Sequence, residues 1–202
     1  MRTSVRLKRA KLGVMMFFGL FGKKNGNAAI VARQYEILTE AARQPALYQA
    51  FHVPDTVMGR FEMLSAVLIL YFRRTRSSAR AGQEIAQEII DAFFEDVDHS
   101  IRELGVGDVS VPKRMKKFAG MFYGRLESYA AALDGGDRAA LAEALRRNIY
   151  PKAGEAAPAM AALAAYLFEA ERVLASRGED AVEAGQLLLP PAAAMDTTGQ
   201  TE

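Results

Sequence analysis

Residues 63–72 read MLSAVLILYF, ten positions of which Ser65 alone breaks the apolar run. A helix apolar on every side has no face to offer to water and belongs inside a protein. Ten helical residues reach about 15 Å, half of the roughly 30 Å hydrocarbon layer of a bilayer, so the segment is too short to span a membrane. It is expected as the central helix of a helical core. The helix starts after the turn HVPDTV (52–57), where Asp55 or Thr56 is placed to cap it, and runs to about Arg74. Arg73, Arg74, Arg76 and Arg80 mark its exit, where cations suit the negative end of the helix dipole.

Outward from that segment the chain reads as helix and turn, and no stretch between residues 28 and 177 sustains period-two alternation. Upstream, residues 28–43 form a first helix ended by Gln44-Pro45, because the residue before a proline avoids the helical region. A short helical turn follows over 45–51. Downstream, residues 81–104 carry an inward stripe of Ile85, Ile89, Phe93, Val97, Ile101 and Leu104. Glu84, Glu88, Asp91, Glu95 and Asp98 repeat on another face. Like charges at this spacing oppose the helix by roughly 0.2–0.5 kcal/mol per pair. The acidic face is therefore either solvated or answered by cations, from Lys113, Arg114, Lys116 and Lys117 or from a basic partner. Gly105 supplies a left-handed stop, and GVGDVS connects to a helix opened by Ser110 and Pro112, with stripe Met115, Phe118, Phe122, Leu126, Tyr129 and Leu133. Gly120 and Gly124 leave room for another backbone to approach. Asp134-Gly135-Gly136 is a turn, Asp137 caps a fifth helix to about Ile149, and a sixth carries Met160, Leu163, Leu167, Ala170 and Leu174. The expected fold is all-α, a single bundle of about six helices over residues 28–184. A leader over 1–27 precedes it, and a disordered tail over 185–202, marked by Pro190-Pro191, follows.

Composition narrows the function. The chain has no cysteine and two histidines, His52 and His99. Thiolate metal sites, iron–sulfur clusters and cysteine nucleophiles are excluded, and a histidine cage or Ser-His-Asp triad has little to draw on. No cofactor, metal or enzymatic activity is expected. Residues 1–24 hold seven of the 26 basic residues and no acid, which leaves 19 cations against 24 acids in the remainder, about −5. An acidic body repels phosphate, so DNA is not an expected partner. Within the leader, LGVMMFFGLFG (12–22) lies between cations and is too short to span. Lys23-Lys24 follow it directly without a small-residue cleavage site, unlike a secretory signal. Phe17, Phe18, Phe21, Lys23 and Lys24 suit an anionic membrane interface; the alternative is a disordered leader, with the start at Met15 or Met16.

Charged side chains in FHVPDTVMGRFEMLS (51–65) run into the apolar helix, and Gly59 sits where alanine is the better helix former. Charges entering a core are normally paired. Asp55, Arg60 or Glu62 is expected to meet a distant charge such as Arg102, Glu103 or Arg125, fixing the fold rather than contacting a partner directly. The arginines 73–80 and lysines 113–117 read as helix-end cations rather than phosphate ligands, since no glycine-rich phosphate loop accompanies them. GVGD is a helix connector, with no strand before it and no Lys-Ser/Thr after it.

YEILTEAARQPALYQAF (35–51), VPDTVMGRFEML (53–64), IRELGVGDVSVPKRMKK (101–117), FYGRLESY (122–129) and ALRRNIY (144–150), in this order, resemble the ubiquinol–cytochrome c reductase assembly chaperone family. The resemblance covers about residues 35–150. It implies a non-enzymatic protein that binds newly made cytochrome b, or another hydrophobic membrane-protein client, with a small assembly partner and near the ribosome. Mitochondrial members act on the matrix side of the inner membrane; for a bacterial relative the equivalent place is peripheral, on the cytoplasmic face of the plasma membrane. Pro54, Asp55, Thr56, Gly59, Arg60, Phe61, Glu62, Arg102, Glu103, Gly105, Val106, Gly107 and Asp108 match the family's signature and form the expected client or partner surface. Many relatives carry a histidine midway along the second long helix, where Ala66-Val67-Leu68 stand here, so haem or metal handling by that helix is not implied. The rival reading is a membrane-surface or ribosome adaptor using the leader and lysines 113–117, with no cytochrome client.

Overall fold

A computed structural model describes residues 27–193. The leader side chains Phe17, Phe18, Phe21, Lys23 and Lys24 lie outside the described residues. Among those described there are eight α-helices: α1 (Ala28–Ala42), α2 (Pro45–Gln49), α3 (Val57–Thr75), α4 (Arg80–Glu103), α5 (Val111–Asp134), α6 (Arg138–Ile149), α7 (Ala161–Ala175) and α8 (Glu179–Glu183). Two 3₁₀ turns, Asp108–Ser110 and Gly154–Ala156, complete them, and the described residues hold no strand. The all-α bundle read from the sequence is the one observed, with six longer helices and two of five residues.

α3 is the axis. It packs against α1, α4, α5, α6 and α7, and Met63, Val67, Leu68 and Ile69 have no exposed surface. Thr56 caps it: its Oγ1 accepts from the Gly59 amide at 3.1 Å, while Asp55 faces solvent. Asp137 caps α6 by accepting from the Ala140 amide at 2.8 Å. Every member of the α7 stripe, Met160, Leu163, Leu167, Ala170 and Leu174, is buried.

The arginines at the end of α3 do more than complement a dipole. Arg73 pairs with Glu171 of α7 and, at 2.9 Å, with Asp134 at the end of α5. Arg74 meets Glu179 of α8 at 2.9 Å and donates to the Arg177 carbonyl. They tie three elements to the end of α3. The cavity of about 480 Å³ beside them is lined also by the Glu169–Arg172 pair and by Arg138, whose guanidinium lies over the Phe168 ring, so most of its charges are already paired.

Three local expectations are corrected. Leu104 is not inward: α4 ends at Glu103, the chain leaves the helical repeat, and Leu104 is 63% exposed. Gly120 and Gly124 receive no neighbouring helix among the described residues; a Cβ at either meets nothing within 4 Å. The chain also stays packed past Gly185. Leu187 and Ala192 are fully buried, and Gln34 brackets Leu187, its Nε2 donating to the carbonyl at 3.0 Å and its Oε1 accepting from the amide at 2.8 Å. Tyr166 Oη donates to the Pro190 carbonyl at 3.1 Å, and the Ala192 amide donates to Gln44 Oε1 at 2.7 Å. Residues 185–193 thus form a strap over α1 and α7.

Candidate functional site

The loop before α3 is built by its own signature residues. The Thr56 amide donates to the Pro54 carbonyl at 2.8 Å, closing a tight turn. That carbonyl then lies against α3 so closely that a Cβ on Gly59 would sit 1.8 Å from its oxygen. His52, at φ +58°, turns the chain into this loop, and its carbonyl accepts from the Tyr150 hydroxyl. Val53 is buried beneath.

One turn further, Phe61 packs on Phe93 of α4 and Phe118 of α5, with centroids 6.0 and 4.9 Å apart. Glu62 is buried and takes two hydrogen bonds from the equally buried Arg125 of α5, in a fork against the carboxylate. Arg125 also donates to the Met121 carbonyl at 2.7 Å and lies 5.7 Å from the centre of the Phe61 ring. Burial pushes the Glu62 carboxyl up, and the guanidinium beside it pulls it back. Of the distant partners expected for the charges here, Arg125 is the one found. Asp55 and Arg60 pair with each other at 2.7 Å on the surface, and the Arg60 guanidinium holds the Asp55 carboxyl below its ordinary value.

The second signature segment pairs within itself. Arg102 donates to Asp98 at 2.6 Å and to Asp108, closing the α4–α5 corner, and His99 meets Glu103 at 3.1 Å. Gly105, at φ +76°, makes the reversal; Val106 is half-buried, and Gly107 and Asp108 are exposed. No hydrogen bond or ion pair joins residues 54–62 to residues 102–108 among those described, and Phe93, which Phe61 touches, precedes Arg102 by nine residues of helix, about 13 Å. The signature is therefore two neighbouring regions rather than one constellation. Pro54, Thr56, Gly59, Phe61, Glu62 and Gly105 build the frame; Asp55, Arg60, Arg102, Glu103 and Asp108 face outward. Sequence reasoning missed the exposed apolar residues among them: Val57 and Met58 at the start of α3, and Leu104 and Val109 at the corner. Their signal was present, since apolar residues directly after a cap and inside a tight turn have no helix stripe to join.

The acidic face of α4 is partly answered and partly solvated. Glu84 meets Arg80 and Asp98 meets Arg102, Glu88 accepts from Asn27 and Asp91 from Gln87, while Glu95 is exposed to solvent. Lys113, Arg114, Lys116 and Lys117, offered above as its counterpart, form no ion pair among the described residues. Nor are three His, Asp or Glu side chains grouped there as a metal site requires.

The bundle thus joins α3 to α5 by a buried ion pair and turns paired charges and bare apolar side chains outward beside it. The chain belongs to the ubiquinol–cytochrome c chaperone family, whose model matches residues 49–189. It is 48% identical to the crystallographically solved Cbp3 homolog from Brucella abortus, covering 83% of this chain and 92% of that one with a TM-score of 0.77. It is also similar to the Xenopus laevis ubiquinol–cytochrome-c reductase complex assembly factor 1, 24% identical over 160 residues that span 79% of this chain and 80% of the other.

Proposed function

We propose that this protein is a non-enzymatic chaperone that assists assembly of ubiquinol–cytochrome c reductase and holds newly made cytochrome b until the complex takes it. The observation that carries the reading is the family match over residues 49–189, which takes in both signature regions and the buried Glu62–Arg125 pair. The assembly role named for the Xenopus relative and the shared fold of the Brucella homolog support it. The start of α3 presents Val57 and Met58 beside the Asp55–Arg60 pair, an apolar patch with a polar rim, which suits a hydrophobic segment awaiting its own partners. A small assembly partner and the ribosome belong to the same reading. So does a peripheral place on the cytoplasmic face of the plasma membrane, with Phe17, Phe18, Phe21, Lys23 and Lys24 on anionic lipid. None of the described helices is long and apolar enough to cross a membrane.

The test is the cytochrome b content of membranes from cells lacking this protein, with transcript measured alongside. The expected result is a marked fall at constant transcript, restored by the intact gene and not by a chain carrying Val57→Asp and Met58→Asp. Unchanged cytochrome b would remove the client assignment and bring the membrane-adaptor reading forward.

A further inference from the structure

We propose that the tip of the α4–α5 hairpin is a lipid-docking surface, in which Val109 and Leu104 enter the headgroup region of an anionic bilayer and Lys113, Arg114, Lys116 and Lys117 hold its phosphates. This contact is separate from the leader and from the client patch, and it stands or falls without them.

Four observations converge on the tip. Val109 is 97% exposed and Leu104 63%, the two most exposed of the large hydrophobic side chains among the described residues. Neither is shielded by a neighbouring turn, and nothing in the bundle is gained by placing them in water. Beside them, four cations occupy the first two turns of α5, the positive end of its dipole, with no acid in the first turn. That placement opposes the helix, since anions are what its N-terminus favours. None of the four has an ion-pair partner among the described residues, whereas most arginines elsewhere in the bundle are paired. Lys113, Arg114, Lys117 and Ser110 line a shallow depression of about 540 Å³.

The hairpin also stands clear of the core. Ile101 and Val111 are buried, yet they lie apart from the main core cluster. α4 runs ten residues past Phe93, the ring that Phe61 of α3 touches, about 15 Å of helix. The tip is stiffened by Arg102, which bridges Asp98 and Asp108, and by His99 on Glu103. Exposed aliphatic side chains followed by a cluster of lysines match the interfacial zone of a membrane. RNA is the weaker fit, because residues 104–117 contain no aromatic side chain on which a base would stack.

The chain contains no tryptophan, so Val109→Trp in the full-length protein is a single reporter at the tip. Val109 is exposed, and the variant is expected to melt as the parent does; Leu104→Trp is the second reporter. On vesicles of phosphatidylcholine with phosphatidylglycerol, the emission should shift to the blue and be quenched by bromine-labelled lipid, with no change on phosphatidylcholine alone. Lys113→Glu with Lys117→Glu should weaken vesicle binding by about fivefold or more for each cation replaced, taking about 1 kcal/mol per basic residue near an anionic surface. If the Val109→Trp protein sediments with vesicles while its tryptophan emission stays unshifted, the contact belongs to the leader and the proposal is overturned. A shift on poly(U) RNA but not on vesicles, or equal response to neutral vesicles, would overturn it as well.

Discussion

At the scale of single residues, the signature strings are explained by what they hold in place. Gly59 sits in the first turn of α3, where alanine is normally preferred by up to about 1 kcal/mol. The Pro54 carbonyl reverses that preference, because a Cβ would fall 1.8 Å from its oxygen and the loop backbone has to move. Gly59→Ala is therefore expected to destabilise the protein by about 1–3 kcal/mol in urea unfolding. A gain in stability would mean that the loop yields freely. Glu62 and Arg125 form a buried pair in which either partner alone is an uncompensated charge. Glu62→Leu or Arg125→Met singly should cost about 3–5 kcal/mol, while the two together should recover most of the loss. Additive losses in that double-mutant cycle would show that the pair does not act as a unit. Half of this was legible: Gly59 was visibly misplaced for a helix, and Glu62 visibly needed a cation. The Pro54 contact was not, since it depends on the path of an irregular loop.

At the scale of elements, the helices were legible because each carries its own period and punctuation, from the apolar run of α3 to the caps at Thr56 and Asp137. The strap over residues 185–193 has neither. Its Gly185, paired prolines and small residues read as a tail, and what secures it is a glutamine 153 positions away in α1. Only a pairing of that range, invisible to local pattern, makes Leu187 a core residue. Leu187→Ala is expected to cost about 2–5 kcal/mol, measured by thermal or urea unfolding. A loss below about 0.5 kcal/mol would return the strap to the status of a tail. The ion pairs at the end of α3 and on α6 and α7 carry a second element-scale consequence. Arginine partners hold Asp134, Glu143, Glu169 and Glu179 below their ordinary values. A depressed carboxylate contributes stability that is complete above its unfolded value, about 4, and is lost as pH falls through the folded value. Glu62 runs the other way, because burial raises its carboxyl and protonation relieves that cost. The depressed group outnumbers it, so the urea midpoint should hold from about pH 7 to about pH 5 and then fall toward about pH 3. A midpoint rising over the acid range would mean that Glu62 dominates.

At the scale of the molecule, frame and surface are separable, and that separation makes the functional reading testable. The resemblance marked thirteen positions without distinguishing the ones that build the fold from those that face a partner. The sequence could not make that division, because burial of Glu62 and exposure of Arg60, two positions apart, follow from where α5 crosses α3. The outward members sit on a body whose stability lies elsewhere, so changing them should leave the fold intact. Exchanging the partners of the surface pair, Asp55→Arg with Arg60→Asp, keeps opposite charges at the two positions while inverting the charge pattern beside Val57 and Met58. Exposed ion pairs contribute little, so stability should stay within about 0.5 kcal/mol of the parent. Retention of cytochrome b from solubilised membranes should fall, since reversed charges at a rim repel the partner groups they formerly matched. The buried Glu62→Gln change offers the contrast: it should lower stability and reduce retention only in proportion to the unfolded fraction. If the exchanged pair retained cytochrome b as well as the parent does, the client face would lie away from the start of α3, and the outward charges at Arg102, Glu103 and Asp108 would be the next to reverse.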